Sequence, residues 1–86
     1  MANVFALEIV TPDKTFYNGN AEMIVVRTTE GDRGILKNHR PLVVGLATGT
    51  LRIKLDGKFK DAKVSGGFMN VDKEKTVIVT ESAEWI

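Results

Sequence analysis

The chain has 86 residues, of which 43% are hydrophobic and 27% are charged, and this ordinary globular composition argues against a disordered or collagen-like protein. Twelve Lys and Arg against eleven Asp and Glu give a net charge of +1, so bulk electrostatic attraction to nucleic acid is not expected. The chain has no cysteine, which excludes disulfides, thiolate zinc sites and thiol nucleophiles.

The N-terminal part of the sequence predicts a β-hairpin. Residues 4–10 alternate apolar and polar side chains and place Leu7 and Ile9 on one face, as in a half-buried strand. Residues 15–17 predict a short second strand. Residues 18–20, Asn-Gly-Asn, predict a tight turn after it, because Asn and Gly tolerate the positive φ that such turns need.

A segment of high β propensity follows. Residues 22–29 predict a strand, but residues 23–26 are apolar on both faces, so one face is expected to meet the core and the other something else. Residues 30–34 contain two glycines and predict a loop. Residues 42–47 form a second apolar run and predict another strand.

The C-terminal half carries the clearest strand signals. Residues 51–55 alternate cleanly, and Asp56-Gly57 predicts a type I′ hairpin turn. Further strands are predicted at residues 59–64, 68–71 and 76–80, with a bend at Ser65-Gly66-Gly67 and a tail over residues 81–86. Short strands separated by turn signals, without a 3.6-residue period, indicate one all-β domain over residues 1–86. We expect an antiparallel β-sandwich or flattened barrel.

No catalytic, metal or cofactor site is predicted. His39 is the only histidine, and the nearest acids, Glu30 and Asp32, lie across a glycine loop, so a histidine that orders a turn or contacts a partner is the favoured interpretation. Gly31-Asp32-Arg33-Gly34 lacks the Gly-Lys-Ser/Thr and the helix of a P-loop. A small hydrolase is one hypothesis for the function, and it predicts that substitution of His39 abolishes turnover.

The predicted hairpin around Asp56-Gly57 carries an excess of positive charge. Its cations are Arg52, Lys54, Lys58, Lys60 and Lys63, and its acids are Asp56 and Asp61. Such a face is usually only solvated, but a small nucleic-acid-binding β-barrel is the alternative function. That alternative needs several aromatic side chains for base stacking, and Phe59 alone is a weak platform.

Apolar side chains are more numerous than one sandwich face can bury. Residues 23–26 and 42–46 supply this surplus, which marks either an interface or a strand buried between two layers. Trp85 has the same two interpretations, because tryptophan is enriched at interfaces and equally able to close the end of a sandwich. The residues favour a protein that binds other proteins rather than one that catalyses a reaction.

Several linked motifs resemble the epsilon subunit of the rotary ATP synthase. The longest is residues 30–42, EGDRGILKNHRPL, which looks like the central loop of that family. Residues 64–68, VSGGF, also match. Residues 9–13, 16–19 and 77–79 resemble the family in the same order and at compatible spacing, so the resemblance covers nearly the whole chain.

The resemblance implies a ten-stranded β-sandwich at the foot of the central stalk, bound to the gamma subunit and to the polar loops of the c-ring. Such a rotor subunit couples ion-driven ring rotation to the alpha-beta headpiece without catalysis or a cofactor of its own. It is peripheral to the cytoplasmic face of the bacterial cell membrane, as part of the synthase. It has no role in nucleic-acid binding.

The resemblance also assigns contact residues. The c-ring contacts are Glu30, Gly31, Asp32 and Arg33, and the gamma contacts are Thr11, His39, Pro41, Leu42 and Val44. Lys37-Asn38 departs from the family pattern, because many relatives carry Pro-Gly before the histidine. The family's two-helix C-terminal hairpin is also missing from these residues, so neither its restraint of ATP hydrolysis nor its ATP binding is assigned to them.

Overall fold

The computed structural model describes residues 3–86 and thus leaves the first two residues of the predicted domain outside the description. The strands are β1 Phe5–Val10, β2 Thr15–Ala21, β3 Met23–Thr28, β4 Gly31–Leu36, β5 Leu42–Leu46, β6 Gly49–Leu55, β7 Lys58–Val64, β8 Gly67–Val71, β9 Lys75–Thr80 and β10 Ala83–Trp85. The described residues contain no helix. The predicted all-β fold of about ten short strands is confirmed.

The strands form one curved sheet that folds back on itself in the order β10-β7-β6-β3-β5-β8-β9-β1-β2, with β4 paired to β3 alone. We call β2-β1-β9-β8-β5 sheet I and β10-β7-β6-β3-β4 sheet II. They join at a corner where Thr28 pairs with Leu46. The pairing is antiparallel except between β1 and β9, which run parallel. A parallel pair needs a long crossover, and here the intervening strands supply it.

The inner faces of the two sheets share one hydrophobic core. Because successive side chains of a strand point to opposite faces, each strand gives alternate residues to this core. The core side chains are Leu7, Ile9, Ala21, Ile24, Val26, Ile35, Val44, Leu46, Leu51, Ile53, Val64, Met69, Val71 and Ile78. Burying one such Leu, Ile or Met contributes about 1.5–3 kcal/mol, so this alternation fixes which face of every strand points inward.

The first hairpin turns at a different place from the predicted one. Asn18-Gly19-Asn20 lies inside β2, paired with β1, and none of the three residues has positive φ. The chain reverses earlier, where the backbone N–H of Thr11 donates to the carbonyl oxygen of Lys14 at 2.9 Å. The Thr11 hydroxyl donates to the same carbonyl at 3.1 Å, so a threonine turn replaces the predicted Asn-Gly turn.

Two further segments predicted as irregular are strands. Residues 31–36 form β4, so only Glu30 of the loop predicted at residues 30–34 lies outside a strand. An edge strand accepts polar side chains such as Asp32 because one of its faces is solvated. These polar residues weaken the apolar pattern, so the sequence did not predict a strand here. Residues 83–85 form β10, where Ala83 pairs with Val64, so half of the predicted tail is part of the sheet.

The two glycine-dependent predictions are confirmed. Asp56 and Gly57 have φ of 56° and 76°, as a type I′ hairpin requires. Gly67 begins β8 with φ of 130°, and a Cβ atom there would lie 1.9 Å from the carbonyl oxygen of Val79. Only glycine allows β8 and β9 to approach this closely.

Candidate functional site

The tip of the β3–β4 hairpin holds the residues predicted to face the c-ring. The Thr28 hydroxyl donates to the carbonyl oxygen of Gly31 at 2.6 Å and accepts the backbone N–H of Glu30 at 3.0 Å. Arg27 pairs with Asp32 at 2.5 Å. Arg33 lies 3.9 Å from Glu30. The structure therefore brings Glu30, Gly31, Asp32 and Arg33 together on one exposed turn.

The charges of this tip compensate each other. The two arginines and two acids of the ion pairs sum to zero net charge. Because the four side chains are exposed, each pair contributes no more than about 1 kcal/mol to stability. The tip is thus a polar, electrically balanced surface held in shape by Thr28.

Residues 37–41 connect β4 to β5 and contain His39 and Pro41. The backbone N–H of His39 donates to the carbonyl oxygen of Leu36 at 3.2 Å. A shallow depression between this loop and the β8–β9 turn is lined by Asn38, His39, Arg40, Pro41 and Lys73. Leu42 follows at the start of β5 and is half-buried against the core.

Val44 and Thr11 lie apart from this loop. Val44 is 9% exposed, and its side chain points into the core rather than to the surface. Thr11 follows Val10, whose row in sheet I is three residues, or about 10 Å along the strands, beyond the row that contains Leu42. Thr11 and the His39–Pro41 segment therefore border sheet I at opposite ends.

The outer face of sheet I lies between those two ends, and it combines an apolar row with polar side chains. Phe68 pairs with Val79, and Val79 pairs with Val10, which gives a row of three hydrophobic side chains across three strands. Val77 lies beside this row on β9, and Val43 lies diagonally from Phe68 on β5. Val43 is 70% exposed and Phe68 48% exposed. The sequence assigned surplus apolar surface to residues 42–46, which lie in this sheet, and to residues 23–26, which lie in sheet II. It missed Phe68, Val77 and Val79.

The outer face of sheet II is mostly charged. Arg52 lies over the ring of Phe59, with the guanidinium carbon 4.2 Å from the ring centroid, and also pairs with Asp61 at 3.2 Å. The ammonium of Lys54 lies 5.8 Å from the same centroid. One aromatic ring covered by two cations is a poor platform for base stacking, so this face gives no support to the nucleic-acid alternative.

The two sheets close along a seam of aromatic side chains. Trp85 of β10 stacks on Phe16 of β2 with 4.5 Å between ring centroids and meets Tyr17 edge-on at 6.1 Å. The ammonium of Lys60 lies 4.1 Å from the centre of the tryptophan ring. Desolvation in this seam raises the pKa of Tyr17 above its ordinary value of 10.0. Of the two interpretations of Trp85, closing the end of the sandwich accounts for these contacts.

Residues 3–86 contain neither a group of metal ligands nor a long apolar helix. No three His, Cys, Asp or Glu side chains of this range are grouped so as to hold a metal ion. The same range contains no helix with the length and apolar character needed to cross a bilayer.

The family model and the similar proteins with known names indicate the same family. Residues 4–86 match the family model described as the β-sandwich domain of the ATP synthase delta/epsilon chain. The chain is 52% identical to the ATP synthase epsilon chain of Alkaliphilus oremlandii over 85 residues. It is 48% identical to that of Alkaliphilus metalliredigens over 85 residues. In both cases the match covers 99% of this chain and 63% of the relative.

Solved structures give the same fold. A chain in the cryo-EM structure of the Euglena gracilis mitochondrial ATP synthase, comprising OSCP, F1 and c-ring, superposes with a TM-score of 0.91 at 28% identity. The match covers 99% of this chain and 55% of that one. A chain of the Tetrahymena thermophila central stalk and c-ring matches in fold with a TM-score of 0.79 at 20% identity, over 93% of this chain and 65% of that one.

The family match covers residues 4–86, which is almost all of the described part of the chain. The motifs around residues 30–42 and 64–68 occupy the β3–β4 tip, the loop before β5 and the glycine bend before β8. This chain belongs to the delta/epsilon chain family of ATP synthases, through the β-sandwich domain of that family.

Proposed function

We propose that this chain is the β-sandwich of a central-stalk rotor subunit of ATP synthase, and that it docks on the gamma subunit through the outer face of sheet I. The observation that supports this most directly is the apolar row Phe68–Val79–Val10, with Val43 exposed beside it. Its relatives are epsilon chains of the synthase. Thr11 and the His39–Pro41 segment border this face at its two ends.

The energetics of the outer face favour a stable contact. Burying the exposed parts of Val43 and Phe68 would contribute about 1–2 kcal/mol each, and the half-buried valines beside them add to this. The Glu8–Lys75 pair at 3.0 Å borders the apolar row, which gives the polar rim expected of an interface. Pro41 extends the surface at the β5 end, whereas Leu42 is half-buried against the core.

The β3–β4 tip suits a second, polar partner. Glu30, Gly31, Asp32 and Arg33 are arranged on one exposed turn with balanced charge. We assign this tip to the polar loops of the c-ring, because balanced charges favour a contact that is specific in register but modest in affinity.

With gamma on one surface and the c-ring on another, the domain transmits ion-driven rotation of the ring to the alpha-beta headpiece. The role is mechanical and non-catalytic, and it needs no cofactor. The domain would then lie peripheral to the cytoplasmic face of a bacterial membrane, held there by the complex.

Calorimetric titration of this chain into the gamma subunit of the same organism tests the proposal. Wild type should form a saturable 1:1 complex, and Val43→Asp should weaken it at least about 30-fold, because a buried unpaired carboxylate costs several kcal/mol. Val43 is the position to change, since Asp at the buried Val44 would unfold the domain. No binding by folded wild type, or equal binding by Val43→Asp, would overturn the docking surface.

A further inference from the structure

The depression between the β4–β5 loop and the β8–β9 turn is positively charged. Arg40 and Lys73 line it from opposite sides, and no carboxylate lines it. Neither cation takes part in an ion pair among residues 3–86. Two cations thus meet across a small concavity without an anion between them.

Both walls of the depression are hydrogen-bonded turns. In the first wall, Asn38 adopts φ of 68°, and Nδ1 of His39 donates to the carbonyl oxygen of Arg40 at 2.7 Å. In the second, the backbone N–H of Asp72 donates to the carbonyl oxygen of Lys75 at 2.9 Å. These bonds fix the backbone on both sides, so the concavity is part of the fold.

The acids closest in sequence do not neutralise the two cations. The carboxylate of Asp72 accepts the backbone N–H of Lys73 at 2.6 Å and so serves the turn itself. Glu74 does not line the depression. Lys75 pairs with Glu8 on the outer face of sheet I.

The depression lies where the proposed docking surface ends. Pro41 lines it, and Val43 follows two residues later with its exposed side chain on the outer face of sheet I. We propose that the depression receives an aspartate or glutamate side chain of the protein that docks on that face. The inference rests on the proposed function, and it names the partner chemistry at one border of the same surface.

A carboxylate fits this place physically. The guanidinium of Arg40 offers a planar fork of donors, the ammonium of Lys73 offers a second charge, and Asn38 offers an amide donor. An ion pair at the rim of an apolar interface fixes its register, because a shifted partner would leave the cations unpaired. Polar groups on the outer face of sheet I, such as Asn70 and the Glu8–Lys75 pair, would share in setting this register.

The test is calorimetric titration into the gamma subunit at about 50 mM and about 300 mM salt, where screening differs strongly. Arg40→Gln and Lys73→Gln should each weaken binding about 3- to 10-fold at low salt, and the double variant about 30-fold, with a smaller salt dependence than wild type. Lys63→Gln on β7 is the matched control, since it removes one exposed charge from sheet II and should change binding less than about 2-fold. Circular dichroism and thermal midpoints should be the same for all variants.

The outcomes separate this inference from the function on which it rests. Failure of wild type to bind gamma would overturn the proposed function. Binding that is lost in Val43→Asp but unchanged in the Arg40 and Lys73 double variant would overturn the carboxylate site alone. A loss in Lys63→Gln equal to that in the single variants would show general charge attraction, and it would also overturn the site.

Discussion

The outer faces of sheet I and sheet II cover the same core but present different chemistry to solvent. On sheet I, Phe68, Val79 and Val10 form an apolar row. On sheet II, Arg52 bridges Phe59 and Asp61. Inward-facing residues on both sheets are mostly hydrophobic, apart from three buried threonines.

This difference separates what stabilises the domain from what it uses for binding. Core burial requires one face of each strand, so the outer faces are free to differ. A solvated sheet face normally carries polar side chains, as sheet II does. Under the proposed function, the apolar row on the outer face of sheet I contributes to a partner contact rather than to the isolated fold.

The largest expected effect comes from breaking sheet I at Gly67. In Gly67→Ala the new Cβ atom would lie 1.9 Å from the carbonyl oxygen of Val79, and φ of 130° is unfavourable for alanine. We expect a loss of more than about 4 kcal/mol, a large part of the stability of a domain this size. Urea denaturation followed by circular dichroism measures it.

Gly34→Ala on sheet II is the matched control for that substitution. Its Cβ would have Met23 Cε as nearest neighbour at 3.6 Å, and the φ of Gly34 is not positive. Stability should stay the same or rise by up to about 1 kcal/mol. Equal destabilisation by the two variants would contradict the close approach of β8 and β9.

The aromatic seam between the sheets gives the next largest effect. Trp85→Ala removes the stack on Phe16 and the cation contact with Lys60, and we expect a loss of about 2 kcal/mol because the ring is only partly buried. Ile86→Ala is the control, since Ile86 is 77% exposed and its loss should cost less than about 0.5 kcal/mol. If Trp85→Ala left the free energy of unfolding unchanged, the aromatic seam would not contribute to holding the two sheets together.

The smallest effect is a pH dependence from Tyr17 in the same seam. Because desolvation raises its pKa in the folded state, the stability it contributes is fully present below the unfolded pKa near 10.0 and is lost as pH rises through the folded value. Tyr17 is the only tyrosine, so ultraviolet absorbance of the phenolate reports its titration directly. Titration at or below the ordinary value in the folded domain would contradict burial in the seam.

The sequence predicts the inward-facing half of the molecule well. Leu7, Ile9, Leu51 and Ile53 are buried as their alternation requires. Asp56-Gly57 forms the expected turn, because its positive φ values are a local property. Local sequence is less informative where polar residues occupy an edge strand, as in β4, or where side-chain bonds of Thr11 make a turn.

The outer face of sheet I was only partly predictable, for a physical reason. Phe68, Val79 and Val10 belong to segments far apart in the chain, and they form a row only through the registers of β8, β9 and β1. In sequence, Val77 and Val79 surround the buried Ile78 and look like core. The Leu42–Leu46 run signalled a surplus, but alternation makes Val43 the exposed residue and Val44 the buried one.

The most direct test of the central claim uses the two exposed phenylalanines. Phe68 on sheet I is 48% exposed and Phe59 on sheet II is 43% exposed, so they form a matched pair. In calorimetric titrations into the gamma subunit, Phe68→Asp should weaken binding by at least about 30-fold, whereas Phe59→Asp should change it less than about 3-fold. The opposite ranking, or equal effects of the two variants, would contradict the assignment of the outer face of sheet I as the docking surface.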